Sequence, residues 1–189
     1  MKLNRSFYSR NTEEVAKALL GKILVHKTKG GVCKGKIVET EAYFGCSDPA
    51  SHAFRKKTKR NYLMFEIPGF SYVYFCYGNH WLFNIVAKKK GSGAVLIRAL
   101  EPLEGIELMK KRRGIKDVKN LCNGPGKLTK AFGINKKQNG LDLTKENLFL
   151  EDSKEKIEVI KAKRIGISKG KSKLLRFYIK ENKFVSKNR

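Results

Sequence analysis

Residues 36–43, KIVETEAY, set two carboxylates and a phenol at alternating positions. In an extended strand Ile37, Glu39, Glu41 and Tyr43 share one face, and Val38, Thr40 and Ala42 share the other. A carboxylate flanked by a tyrosine at the end of an otherwise apolar strand is a candidate general base. Glu41 is that carboxylate. A solvated sheet face carrying two glutamates accounts for the same pattern, because charged side chains are mostly exposed. Periodicity alone therefore does not make Glu41 catalytic.

A second stretch of interest is SYVYFCYGNHWLFNIV, residues 71–86. Tyr72, Tyr74 and Cys76 alternate with Val73, Phe75 and Tyr77, and Gly78-Asn79 suits a tight hairpin turn. In the return strand Asn84 is the polar exception, and a buried asparagine needs partners or a ligand for its amide. Core packing explains part of the tyrosine content but fits Tyr77 least well, because a residue beside the turn is hard to bury. Proteins that open a base stack insert a bulky side chain into it. Enzymes acting on a base rotate the nucleotide out and hold it between aromatic faces. Tyr77 is accordingly expected to be a wedge that intercalates in DNA.

The charge balance points to the same partner. The 189 residues carry 42 Lys and Arg against 17 Asp and Glu, a net +25. Residues 154–189 alone hold thirteen basic and three acidic side chains. Such an excess repels itself unless a polyanion is near, and nucleic acid is the natural one. No basic amphipathic helix favours a membrane surface, and no apolar run reaches bilayer length. The N-terminal residues lack the apolar centre of a secretory signal, so an intracellular protein is expected. Cysteines at 33, 46, 76 and 122 show no C-x-x-C pair and no histidine at metal spacing, so they read as free thiols, with no metal and no cofactor expected.

These residues need elements to hold them. NTEEVAKALLG reads as a helix capped by Asn11 and stopped by Gly21. KILVHKT and VCKGKIVETEAYF, joined by a turn at Lys29-Gly30-Gly31, read as a strand pair. Residues 45–69 read as a long surface connection, functional or disordered. The hairpin is followed by a strand AVLIRAL ending at Pro102, a helix over PLEGIELMKKRRG, and a short helix in GPGKLTKAFG with Pro125 at its first position. The N–H groups opening that last helix suit a DNA phosphate, and an ordinary helix start explains the stretch equally well. KIEVIKAKRIGI and LLRFYIK supply further strands. With 41% hydrophobic residues and no linker, the chain is expected to be one α+β domain over residues 1–189. Its expected parts are a curved, mainly antiparallel sheet, short helices and a protruding β-hairpin.

RSFYSRNTEEVAKALLGKILV, GKIVETEAYFG, DPASHA, KRNYLMF, PGFSYVYFCYGNHWLFNIV, VLIRALEPLEGIELM, LCNGPGKLTKAFGI and LRFYI together resemble, in order, the alkyladenine DNA glycosylase family (3-methyladenine DNA glycosylases of the mammalian type). The resemblance runs from about residue 5 to residue 186. It implies a water-activating role for Glu41, with Arg98 helping to position the water and the main-chain carbonyl of Ile165 also holding it. It implies an aromatic pocket of Tyr43, His52 and Tyr74, an intercalating Tyr77, and Asn84 at the pocket floor, where its bulk disfavours the 2-amino group of guanine. Asn79 stands where the family commonly has methionine, and Lys56 where it commonly has glycine.

The implied reaction hydrolyses the N-glycosidic bond of alkylated or deaminated purines in double-stranded DNA, leaving an abasic site. The protein is expected to act as a monomer. Glycoside hydrolysis usually takes two carboxylates, but a cationic base such as 3-methyladenine leaves without a proton, so one base to align water is enough. Arg98 is expected to favour the ionised form of Glu41. No lysine in the matched motifs is placed as a Schiff-base nucleophile, so base removal without strand cleavage is expected. The pocket also makes a demand on the hairpin. A two-residue turn at Gly78-Asn79 would send Asn84 to the face opposite Tyr74. Placing both in one pocket requires a bulge or an odd-length loop, such as Gly78–His80, which would pair Tyr74 directly with Asn84. A non-catalytic nucleic-acid-binding protein would use the same basic surface and aromatic hairpin, and would leave Glu41, Asn84 and Arg98 without a purpose.

Overall fold

In the computed structural model the described residues are 1–76, 78–145 and 147–186. They form strands β1 (Ile23–Thr28), β2 (Gly31–Phe44), β3 (Ser71–Cys76), β4 (His80–Val86), β5 (Gly93–Glu104), β6 (Leu148–Glu151), β7 (Val159–Ala162) and β8 (Arg176–Ile179). The helices are α1 (Arg5–Tyr8), α2 (Thr12–Ala18), α3 (Ile106–Arg113) and α4 (Pro125–Phe132). The architecture is α+β, and each strand pairing is antiparallel.

The sheet runs β3-β4-β5-β2-β1-β6, with β8 joined to β2 and β7. The length of β2 explains the branch. One edge is covered by β5 along most of its length, while the other is shared between β1 at residues 31–36 and β8 at residues 39–41. Register shifts between Ile37 and Thr40 mark a bulge where the partners change. The bulge also corrects the alternation read from the sequence. Ile37 and Ala42, expected on opposite faces, both enter the main core, whereas Glu39, Glu41 and Tyr43 stay together on the other side.

That core lies between the sheet and the helices, around Leu19, Phe83, Ile97, Phe132 and Phe177, all fully buried or nearly so. Each such side chain contributes roughly 1.5–3 kcal/mol by leaving water. Asn11 caps α2 as expected, accepting from the Glu13 N–H at 2.9 Å. The Thr40 hydroxyl fastens β2 to α2 by donating to the Ala16 carbonyl at 2.8 Å.

The helix expected from Pro102 begins instead at Ile106, and residues 102–104 extend β5. Pro102 is tolerated there because the register shifts beside it, opposite Gly35. Gly105, in the left-handed region at φ 78°, makes the break. Residues 45–69 are not simply a surface connection. Ala53, Leu63 and Met64 pack with Tyr72, Val86 and Ala94 in a second, smaller core. Asn61 is buried and binds the segment to itself, donating to the carbonyls of His52 (2.6 Å) and Lys56 (3.0 Å).

Candidate active site

Strand register assembles the site. Tyr72 pairs with Asn84, Asn84 with Leu96, Leu96 with Glu41, and Glu41 with Arg176, so one row of residues crosses β3, β4, β5, β2 and β8. Directly opposed residues point to the same face of a sheet. The row therefore carries the tyrosine wall and the carboxylate to one side of the molecule. A cavity of about 490 Å³ opens over that side, of the size usual for small-molecule sites. Tyr43, His52, Tyr72, Tyr74, Asn84, Arg98 and Ile165 all line it.

The hairpin loop has odd length, as the pocket requires, but another register than Gly78–His80. Cys76 pairs with His80, so three positions separate the paired strands, Tyr72 rather than Tyr74 faces Asn84, and Tyr74 faces Leu82. Tyr74 and Asn84 still share a face as diagonal neighbours. Gly78, at φ 72°, supplies the left-handed turn residue. Tyr77 itself, the expected wedge, lies outside the described residues.

Glu41 stands behind the cavity wall, fully excluded from solvent. Its Oε1 accepts from the Ile165 main-chain N–H at 2.8 Å and lies 3.3 Å from an Arg98 Nη1. Its Oε2 accepts from the Tyr43 hydroxyl at 2.7 Å. All three partners face the cavity, so the carboxylate is held from the side where a ligand would lie. The Ile165 contact with Glu41 runs through its N–H; the resemblance assigned its carbonyl to the water. The solvated-face reading of Glu39 and Glu41 fails, because neither is exposed.

Burial pushes the Glu41 carboxyl above its ordinary value; Arg98, the Ile165 N–H and the Tyr43 hydroxyl oppose this, and Glu39 adds to it. Arg98 favours the ionised form as expected, yet burial outweighs it. Burial and the neighbouring Glu41 hold the Tyr43 phenol well above its usual range, which keeps it protonated and able to donate. Burial alone would lower Arg98, but Glu41 and Glu39 more than offset it and raise it.

The aromatic wall is tightly knit. The His52 and Tyr74 rings meet edge to face at 4.6 Å between centroids, and Tyr72 and Tyr74 lie 5.3 Å apart. His52 Nδ1 is 2.8 Å from the Tyr72 hydroxyl. Burial and then Arg60 lower the His52 pKa, so the imidazole is neutral near pH 7. Asn84, 4% exposed, donates its amide N–H to the Tyr72 carbonyl at 3.1 Å.

Several residues that organise the site were not foreseen. Glu39 accepts from Arg98 Nε (3.2 Å), Arg176 Nη1 (3.0 Å), and both the N–H (2.8 Å) and the hydroxyl (2.9 Å) of Ser186. Alternation with Glu41 was its one sequence signal. Asp48 and Arg164 form a buried pair beneath the loops, and Tyr72 orients His52. Long-range partners of this kind leave no local pattern. Lys127 and Lys169 also border the cavity, and the Lys127 ammonium donates to Asn123 at 2.7 Å.

The sequence matches the methylpurine-DNA glycosylase (MPG) family over residues 6–183. Similar bacterial proteins carry the name of candidate 3-methyladenine DNA glycosylases. One from Prosthecochloris aestuarii is 54% identical, with 97% of this chain and 90% of that protein covered. One from Clostridium novyi is 49% identical, with 98% of each covered. One from Clostridium perfringens is 48% identical, with 99% of this chain and all of that protein covered.

Proposed function

The chain belongs to the methylpurine-DNA glycosylase family, and from that premise we propose that Glu41 activates the water that releases a flipped-out alkylated purine. The protein is thus a DNA-repair 3-methyladenine glycosylase, a hydrolase of N-glycosyl bonds whose substrate is DNA. The convergence of Arg98, the Tyr43 hydroxyl and the Ile165 N–H on a fully buried Glu41, immediately behind a tyrosine-walled cavity, carries the reading.

A carboxylate oxygen has two lone pairs, and the Tyr43 hydroxyl takes one of those on Oε2. The second accepts a hydrogen from water. That water adds its oxygen to C1′ of the deoxyribose while Glu41 takes its proton. The electron pair of the N-glycosidic bond leaves with the purine. A cationic base departs neutral, so no second carboxylate is needed. Arg98 stabilises the ionised carboxylate and the developing geometry around the water. The purine stacks among Tyr43, His52 and Tyr74, and Asn84 below them rejects the 2-amino group of guanine. Tyr77 fills the gap left in the duplex. Its place in the sequence, directly before Gly78-Asn79, supports this wedge role together with the resemblance.

The protein works inside the cell and as a monomer in this reading, and it removes the base without cutting the strand. No helix among the described residues is long and apolar enough to cross a membrane.

The test is release of free 3-methyladenine from alkylated duplex DNA, with the strand breaking only after alkali. Glu41→Gln should lower release by about 10³-fold while lesion-duplex binding survives. Borohydride should trap no covalent adduct through Lys127 or Lys169. Absence of base release by the wild-type protein would return the reading to a binding protein.

A further inference from the structure

Two loops distant in sequence, one following β2 and one preceding β8, meet at a single buried ion pair. Arg164 donates from Nη1 to Asp48 Oδ2 at 2.6 Å and from Nη2 to Asp48 Oδ1 at 2.7 Å, and both side chains are wholly excluded from water. The Asp48 carboxylate also accepts the Phe44 and Ala50 N–H groups, each at 3.2 Å. Arg164 in turn donates to the Ala42 carbonyl at 2.9 Å, and its guanidinium lies 4.7 Å from the centre of the Tyr43 ring.

Those contacts place Arg164 against two of the three groups that hold Glu41. It stacks on the phenol that donates to Oε2, and its chain neighbour Ile165 supplies the N–H that donates to Oε1. Stability is a poor reason for such a pair. Desolvating two charges costs about as much as their attraction returns, and the Arg164 Nε–H is buried without a partner among the described residues. What a bidentate fork does supply is a fixed angle and a fixed distance between two loops distant in sequence.

We infer that Asp48 and Arg164 are positioning residues for the reaction. Their ion pair locks the Tyr43 ring and the Ile165 main chain, and through them it aims the Glu41 carboxylate at the cavity. The inference rests on the role proposed for Glu41, without which there is nothing to aim.

Two variants test it. Asp48→Asn with Arg164→Gln removes the fork without leaving an unpaired buried charge, and Arg164→Lys keeps the charge while losing the bidentate geometry. Single-turnover release of 3-methyladenine is measured across the acid range, alongside lesion-duplex binding and thermal unfolding. The double variant should lose about 10- to 100-fold in rate near neutral pH, the range typical for groups that orient a reacting residue. Binding should be retained. The acid limb of its rate profile should move to higher pH, because a loosened Ile165 N–H no longer favours ionised Glu41. Arg164→Lys should change in the same direction by less, and it carries the test alone if the double variant does not fold. Wild-type kinetics in the folded variants, or a rate loss equal at every pH with the limb unmoved, would overturn the inference. Glu41→Gln run in parallel separates the two levels. If it retains base release, the proposed role of Glu41 has failed; if it is inactive while the Arg164 variants are normal, only the positioning role has.

Discussion

Glu39 and Glu41 lie two residues apart on the same strand, both are fully buried, and both bind Arg98, yet their surroundings differ. Glu39 is enclosed by protein donors: two guanidiniums, an amide and a hydroxyl, one of them from Arg176 on β8 and two from Ser186 near the end of the chain. Glu41 has one guanidinium, one amide and one phenol, all contributed by residues that face the cavity. A carboxylate balanced by its own protein is a structural part. One held just behind a cavity wall by the residues that line it, with fewer donors around it, is suited to act on something that enters. In the proposed reading a single strand carries both roles, and the bulge between Ile37 and Thr40 lies beside the structural carboxylate.

The comparison can be broken by exchanging which carboxylate is lost. Glu41→Gln should lower single-turnover base release by about 10³-fold, within the range for a missing general base, with little change in unfolding. Glu39→Gln should do the reverse. It takes the carboxylate from Arg176 and leaves Arg98 with Glu41 as its carboxylate partner, and should cost roughly 3 kcal/mol in urea denaturation, as removal of one member of a buried ion pair does, with a smaller loss of rate. If the two variants behave alike, the distinction between the centres is wrong. Tyr43→Phe deletes one hydrogen bond to Glu41 and should slow release about tenfold, the worth of one bond to a charged group. Smallest is Asn84→Ser. It opens the cavity floor and should raise release of guanine-type bases relative to adenine-type bases by about fivefold, just under the range in which shape alone discriminates. Unchanged selectivity on duplexes carrying single defined lesions would move the floor elsewhere.

Local pattern made much of this legible, and long-range pairing made the remainder invisible. The β1–β2 pair, α2 with its Asn11 cap, and α4 between Pro125 and Gly133 follow from periodicity and turn chemistry. Glu41 was singled out by its strand position, and Asn84 by being polar in an apolar strand. The β2 bulge escaped notice because nothing in KIVETEAY marks it; it arises where β1 ends and β8 begins as neighbours. The hairpin loop was expected to be odd, but its register is fixed by Tyr72, Asn84 and Leu96 aligning across three strands. Asp48, Arg164, Arg176 and Ser186 are meaningful only as partners, and the residues they meet lie more than a hundred positions away.

The pH sign follows from the same comparison. A carboxyl whose folded value is raised binds its proton more tightly in the folded protein, so its contribution to stability is present at low pH and is lost as pH rises through the raised value. Glu41 is therefore ionised at a cost in stability, and the proposed mechanism requires that ionised form. The most direct measurement is the pH dependence of single-turnover 3-methyladenine release by the wild-type protein. This lesion is already cationic in the DNA, so it leaves as a neutral base and needs no acid. The rate should fall on the acid side with a midpoint above 4.5, the ordinary glutamate value, and the fall should follow one proton. A rate that stays level down through 4.5 would contradict the claim that a buried, burial-raised Glu41 carboxylate activates the water.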